Sequence, residues 1–326
     1  MLMAALMIAS CGGSKKPSRK LLPNVSGKAG EVIVVMDKTP WEGSLGGEVR
    51  ELLASDCPYL AQREPLYNLV NVTPSNFVNL FQVHRNIVFF EINPQVAEEK
   101  VEYLSDIWSH PQCVVRVSAA TEESATALVK ENGAKIESAI EQAERDRVIG
   151  NTMLYEEKSI FPQVCRIMGG SPHFPSGYKL RKKTADFAWI ADDKQYTTQG
   201  VLIYKYPAEG TEADFSEENL IRHRNEMLQA NVPGMFDNTY MTTSEFIPPT
   251  VSFVRYKGRD FAQMRGFWEV YNDYMGGPFV SHSFYSRDGK EIITLDAFVY
   301  APKYDKRQYL RQVESLLYSF EWGSGE

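Results

Sequence analysis

Val32-Ile33-Val34-Val35-Met36 is the segment that most restricts the fold. Five apolar residues run without a break, four of them β-branched. A helix does not favour that composition, and a strand with one wet face would alternate with polar residues. The run therefore reads as a strand buried on both faces, the habit of parallel sheets covered by other layers. Parallel strands need crossover connections, so helices should follow. The downstream pattern supplies them. Gly46 to Leu60 reads as a helix with Val49, Leu52 and Leu53 on one face, closed by Pro58. Leu66 to Val72 reads as a strand, and Ser75 as the cap of a short helix carrying Phe77, Val78, Leu80 and Phe81. Asn86 to Ile92 is a strand, Ala97 to Trp108 a helix, and Cys113 to Val117 a strand. Thr121, Glu122 and Glu123 open a long helix with Leu128, Val129, Ile136, Ile140 and Ala143 as its buried stripe. A break or kink is expected near Asn132-Gly133, and a further helical stretch from Asn151 to Met168, interrupted at Pro162.

Gly169 to Pro175 concentrates Gly and Pro and reads as a domain junction. Beyond it the pattern changes. Tyr178 to Trp189 and Val201 to Tyr206 read as strands, and Ser216 caps a helix reaching Ala230. Val251–Tyr256, Phe261–Tyr271, Phe279–Tyr285 and Ile292–Tyr300 read as an antiparallel meander, with turns at Met275-Gly276-Gly277-Pro278 and Asp288-Gly289. A helix from Lys306 to Phe320 closes the chain. The expected fold class is mixed α+β and α/β. An N-terminal domain of alternating strands and helices (25–170) precedes a C-terminal antiparallel-sheet domain with flanking helices (171–326).

The amino terminus is of another kind. Met1 to Ile8 is wholly apolar, followed by small residues and Cys11, as in a secretory signal. Ile8-Ala9-Ser10-Cys11 resembles the lipobox of bacterial lipoproteins. The resemblance implies cleavage before Cys11 and acylation of that residue, leaving a signal peptide at 1–10 and a lipidated flexible tether at 11–24. No Lys or Arg precedes the apolar run, so the start codon is expected upstream. Gly, Ser and Pro in the tether keep it from burying anything. Lys15, Lys16, Arg19 and Lys20 favour anionic head groups by about 1 kcal/mol each. The resemblance to bacterial lipoproteins implies a sorting reading: Gly12 and Gly13 stand where an Asp would signal inner-membrane retention, and the basic residues behind them are opposite in sign to the acidic stretch that accompanies surface export. The expected place is the periplasmic face of the outer membrane, with periplasmic or outer-membrane proteins as partners.

The remaining cysteines, Cys57, Cys113 and Cys165, show no CxxC spacing and are odd in number, so at most one pair can form; an exported chain permits that disulfide, and three buried free thiols are the simpler expectation. With a formal charge of −7 the chain does not suit nucleic acid.

The segments Glu31 to Lys38 followed by Trp41, His84 to Ile87, Met275 to Val280 and Phe298 to Lys303 resemble a lipoprotein family of Bacteroidetes. That family is known as domain of unknown function 4837. The resemblance extends over nearly all of the chain behind Cys11. It implies an exported bacterial lipoprotein and brings no activity with it.

Catalytic motifs are missing from the sequence. His84, His110, His173, His223 and His282 include no i, i+2 or i, i+4 pair, so no local zinc motif exists. Neither GxSxG nor a complete SxxK set occurs. Gly43 to Gly47 lies where phosphate loops lie but lacks the Lys-Ser/Thr ending, with Glu42 and Glu48 beside it. His282 alternates with Val280 and Phe284 and reads as a core histidine, and His223 as part of a solvated helix face. No cofactor and no metal are expected. Asp37, Lys38 and Trp41 are the candidate ligand-binding residues. They follow the first strand, and crevices in parallel sheets open at the carboxyl ends of strands. Phe267, Trp268, Tyr271 and Tyr274 crowd another stretch. Core packing is the simpler expectation for them, while exposure would suit binding of a partner or a glycan. Together these readings lead to a lipid-anchored envelope protein with a non-catalytic binding or assembly role. The alternative is an envelope hydrolase whose site is assembled from residues distant in sequence.

Overall fold

The computed structural model describes residues 21–324. Cys11, the signal peptide and the first part of the tether lie outside the described residues. The chain begins with β1 (Glu31–Val35), α1 (Lys38–Glu42), α2 (Ser44–Leu53), β2 (Asn68–Val72), α3 (Asn79–Gln82), β3 (Asn86–Ile92), β4 (Lys100–Ser105), β5 (Cys113–Ala119) and α4 (Glu122–Leu154). Its sheet has the order β2-β1-β3-β5-β4, with β1 parallel to β2 and β3, and β3 parallel to β5. The apolar run of β1 is buried on both faces. Val32 and Val34 join Val88 and Val115 beneath α2 and α4, while Ile33 and Val35 join Ile87, Val114 and Phe77 on the other side.

The segment expected as a helix at 97–108 is instead β4, antiparallel to β5 on the sheet edge. Its Val101 and Leu104 fit helical spacing. In the strand they serve opposite cores, because the open edge of β5 offers backbone partners that local propensity does not weigh. The helix expected at 46–60 ends at Leu53, well before Pro58. The helix expected behind Ser75 splits into a 3₁₀ turn at Pro74–Asn76 and α3.

α4 is continuous over 33 residues and opens on a reciprocal cap between Thr121 and Ser124. The helix does not break at Gly133. That glycine serves close packing, since a β-carbon there would lie 3.1 Å from Leu52 of α2. At 1.5 Å per residue α4 is about 50 Å long, roughly twice a seven-residue strand. Its first part buries Ala125, Val129, Ile136 and Ile140 on the sheet. Its last part overshoots the amino ends of the strands and packs Val148 and Ile149 against the second domain's core. Where it passes the strand ends, the buried Glu144 accepts from Arg85 (2.9 Å), the Asn86 amide (2.7 Å) and Gly30 N (3.2 Å), with Arg147 at 3.3 Å.

The second domain comprises α5 (Phe161–Met168), β6 (Gly170–Ser171), β7 (Lys179–Lys183), β8 (Phe187–Lys194), β9 (Thr197–Pro207), α6 (Glu217–Asn231), β10 (Met241–Thr243), β11 (Thr250–Tyr256), β12 (Arg259–Val270), β13 (Gly276–Tyr285), β14 (Glu291–Tyr300), α7 (Arg307–Leu317) and β15 (Glu321–Trp322). Its eight-stranded antiparallel sheet runs β10-β12-β13-β14-β9-β8-β7, and β11 also pairs with β12. α5 and α7 pack with Val201, Ile203, Val280 and Leu295 on one face; α6 packs with Leu202, Tyr204, Phe279 and Phe298 on the other. The single strand expected at 178–189 is the hairpin β7–β8, turned at Thr184, whose amide donates to Phe187 O. Met275-Gly276-Gly277-Pro278, expected as a turn, is mostly strand. The turn lies just before it, and Gly277 is inside β13 at a position that requires glycine, since a β-carbon there would meet Val299 O at 2.1 Å.

The Gly- and Pro-rich stretch read as a junction is part of the second domain. β6 pairs with β15, Phe174 is buried, and Ile160, Val164 and Met168 of α5 belong to the same core. The change from one core to the other falls within α4: Ile140 and Ala143 are the last residues on the first core, and Val148, Ile149 and Ile160 pack in the second. The domains are also joined through α7. Glu64 of the first domain accepts the amides of Lys306 and Arg307 at 2.7 and 2.9 Å, capping the amino end of α7 from across the boundary. Arg311 of α7 donates through Nε to both carboxylate oxygens of Glu141 on α4, at 3.1 Å each.

Candidate functional site

The carboxyl end of β1 does open on a crevice, of about 370 Å³. Asp37 lines it with Glu91 and Glu122, between Pro40, Pro74 and Phe89. Lys38 and Trp41 are not among its walls. Lys38 pairs with Glu42 at 3.6 Å on the exposed side of α1. Trp41 packs on the first core, with the Arg50 guanidinium 4.7 Å from its ring centre and Arg50 donating to its carbonyl. Of the three residues proposed as one site, the fold leaves only Asp37 in the crevice, because α1 turns the other two away. Three carboxylates with no cation among them give that crevice no recognisable chemistry.

A second concavity, of about 380 Å³, lies where the domains meet. Its charges are already paired. Arg85 holds Glu144, Lys194 holds Asp192 at 3.0 Å, and Arg147 donates to Asn86 Oδ1 and to the carbonyls of Arg85 and Pro111. This is the chemistry of a seam between domains.

A third concavity, of about 700 Å³, lies at the turn end of the β12–β13 hairpin. Phe246, Tyr271 and Tyr274 line it together with Glu269, Asn272 and Asp273. Phe246 is 90% exposed, Tyr271 49%, and Tyr274 fully. A tight turn presents the two tyrosines. Val270 N donates to Met275 O (2.8 Å), Asp273 N to Val270 O (3.0 Å), and Tyr274 N to the Asp273 carboxylate (2.7 Å), while Asn272 takes a left-handed φ of 60°. Tyr240 stacks on Tyr271 at 5.0 Å and 19°, fixing that ring from behind. Trp268, expected in the core with its neighbours, is buried and donates to Val299 O at 3.2 Å. Phe267 is half-buried. Tyr271 and Tyr274 depart from the core expectation because they lie past the end of the paired strands. The sequence signal for them was the aromatic crowding itself; Phe246, over twenty residues upstream, had none.

The histidines are dispersed. His173 bridges Glu156 (2.5 Å) and Glu321 (3.4 Å) and stacks on Phe161. His282 is fully buried, 3.1 Å from Gln263 through Nε2, and burial pushes its imidazole well below the usual range. His223 lies against Tyr206 with ring centres 3.8 Å apart instead of on a fully solvated face. Among the described residues no three His, Cys, Asp or Glu side chains converge in a way that holds a metal ion. Cys57, Cys113 and Cys165 are free thiols. No helix among the described residues is long and apolar enough to cross a membrane.

Residues 157–319 match the family described as domain of unknown function (DUF4837), and residues 25–153 match another, domain of unknown function (DUF8532). The first match covers half of the chain. The resemblance seen in the sequence therefore divides in two. The segments around Met275 and Phe298 lie within the DUF4837 region, and those around Val32 and His84 within the other. No curated protein matches the chain.

Proposed function

This chain belongs to the DUF4837 family, and from that premise we propose that it is a lipid-anchored protein of the bacterial envelope whose task is non-catalytic binding. Cys11 is its acylated residue, and the periplasmic face of the outer membrane its place. Partners are then periplasmic: other lipoproteins, peptidoglycan-associated factors or the inner ends of outer-membrane barrels. The lipobox-like sequence at Ile8 to Cys11 and the basic, flexible stretch behind it support the anchoring.

The observation that carries the binding role is the aromatic concavity on the β12–β13 hairpin. Exposed aromatic side chains cluster there on a turn fixed by hydrogen bonds, and rigid aromatic residues contribute most of the energy at binding surfaces.

The test uses the full chain in its own cells with a photo-reactive phenylalanine analogue at Tyr274, and in a control strain at Lys130, an exposed residue of α4. Adducts are expected from position 274 and not from position 130. No adduct, or the same adducts from both, would overturn the binding surface. Cys11→Ser should move the protein to the soluble fraction, and protease added to intact cells should leave the wild type whole. Membrane retention of the variant would end the anchoring proposal; digestion from outside would end the periplasmic one.

A further inference from the structure

We propose that the occupant of the aromatic concavity is a neutral, β-1,4-linked oligosaccharide strand, an inference that rests on the concavity being the binding surface. Three features point to sugar. First, the concavity is lined by the solvent-exposed aromatic side chains of Phe246, Tyr271 and Tyr274, and Tyr240 stacks on Tyr271 at 5.0 Å. Sugars whose substituents are all equatorial carry an apolar C–H face of matching flatness, and burying one such face on a ring is favourable. Second, the polar side chains that line the concavity with them are Glu269, Asn272 and Asp273. Asp273 uses one carboxylate oxygen on the Tyr274 amide, and hydroxyl groups of a sugar can donate to its other oxygen and to its neighbours. Third, among the described residues no Lys, Arg or His lines the site. Phosphate, uronate and nucleic acid would meet carboxylates with no compensating cation.

A protein partner fits less well. An apolar anchor seated between the rings would strip water from two carboxylates and an amide without pairing them. A volume of about 700 Å³ lies within the range of pre-formed small-ligand sites.

Met275 lines the concavity and provides a reporter. The experiment titrates the full chain, made soluble by Cys11→Ser and labelled at methionine methyl groups, with chitohexaose and cellohexaose. Maltohexaose, whose α-links curve the strand, and hexagalacturonate, which is anionic, are the comparisons. The Met275 methyl signal should shift with one or both β-linked oligomers and not with the comparisons. Tyr271→Ala and Tyr274→Ala should each weaken binding about tenfold, and Tyr274→Phe should retain it. A still Met275 signal with both β-linked oligomers would overturn the proposal, as would equal shifts with maltohexaose or hexagalacturonate. If no oligosaccharide binds while position 274 crosslinks a protein in cells, the sugar is wrong and the binding surface stands. If neither occurs, both readings fall.

Discussion

Replacing Glu144 by Gln tests how the fold holds its central helix. Glu144 is 1% exposed and is met by Gly30 N, Asn86 Nδ2, Arg85 Nη2 and Arg147 Nη1 at 2.7 to 3.3 Å. The change is nearly isosteric, so packing is preserved. It removes the charge facing two guanidinium groups, and an amide N–H now points at one of the donors. Breaking a buried ion pair from one side costs about 3–5 kcal/mol, because the partner stays buried and unpaired. At roughly 2–4 °C per kcal/mol for large domains, Tm should fall by about 6–20 °C. Thermal unfolding followed by circular dichroism reads this directly. Arg85→Met combined with Glu144→Gln should cost less than the sum of the single changes, since the second removal no longer strands a charge. A loss below about 1 kcal/mol for Glu144→Gln, or strict additivity in the double variant, would refute the reasoning that this carboxylate neutralises the buried cations.

Burial lifts the thiols of Cys57 and Cys113 to about 11. At pH 8 iodoacetamide should therefore modify them about a hundredfold more slowly than in the denatured chain; rates within tenfold would contradict the assignment. Burial raises the Glu141 carboxyl, but the Arg311 guanidinium and the Tyr67 hydroxyl outweigh it and hold it below the usual range. Its stabilising contribution is thus present above about 4.5 and lost as pH falls further. Arg311→Met should flatten the loss of stability below that pH in urea titrations, and an unchanged slope would remove the pair from the account. A fragment 157–326 should unfold at a higher temperature than 171–326, because only the longer one keeps Ile160, Val164 and Met168; equal midpoints would show that α5 is dispensable.

Where chain-local pattern decides structure, the sequence was readable. The β-branched run of β1, the Thr121 start of α4 and the apolar runs of the C-terminal strands depend on local composition and capping, which neighbours in sequence determine. β4 was misread because its identity depends on the free edge of β5, a partner known only after folding. Gly133 looked like a break because composition does not show that Leu52 needs the space. The candidate site divides the same way. Asp37 reached its crevice because strand ends are predictable, and Trp41 did not because α1 intervenes. Phe246 joins Tyr271 and Tyr274 only through the return of β10 alongside β12, a pairing with no local signal.

The uninterrupted course of α4 makes the placement of one domain on the other a matter of helical phase. Glu141, Glu144, Val148 and Ile149 must emerge on the correct sides of one cylinder. Each inserted or deleted residue between Ile136 and Glu141 turns everything beyond it by about 100° and moves it by about 1.5 Å. Adding seven residues nearly restores the angle, to within about 20°, but carries the second domain about 10 Å away from Glu64, which caps α7. The two regions therefore have no slack through which their geometry could drift. A length change in this stretch would uncouple them, whereas loops such as the one between β13 and β14 have room to grow.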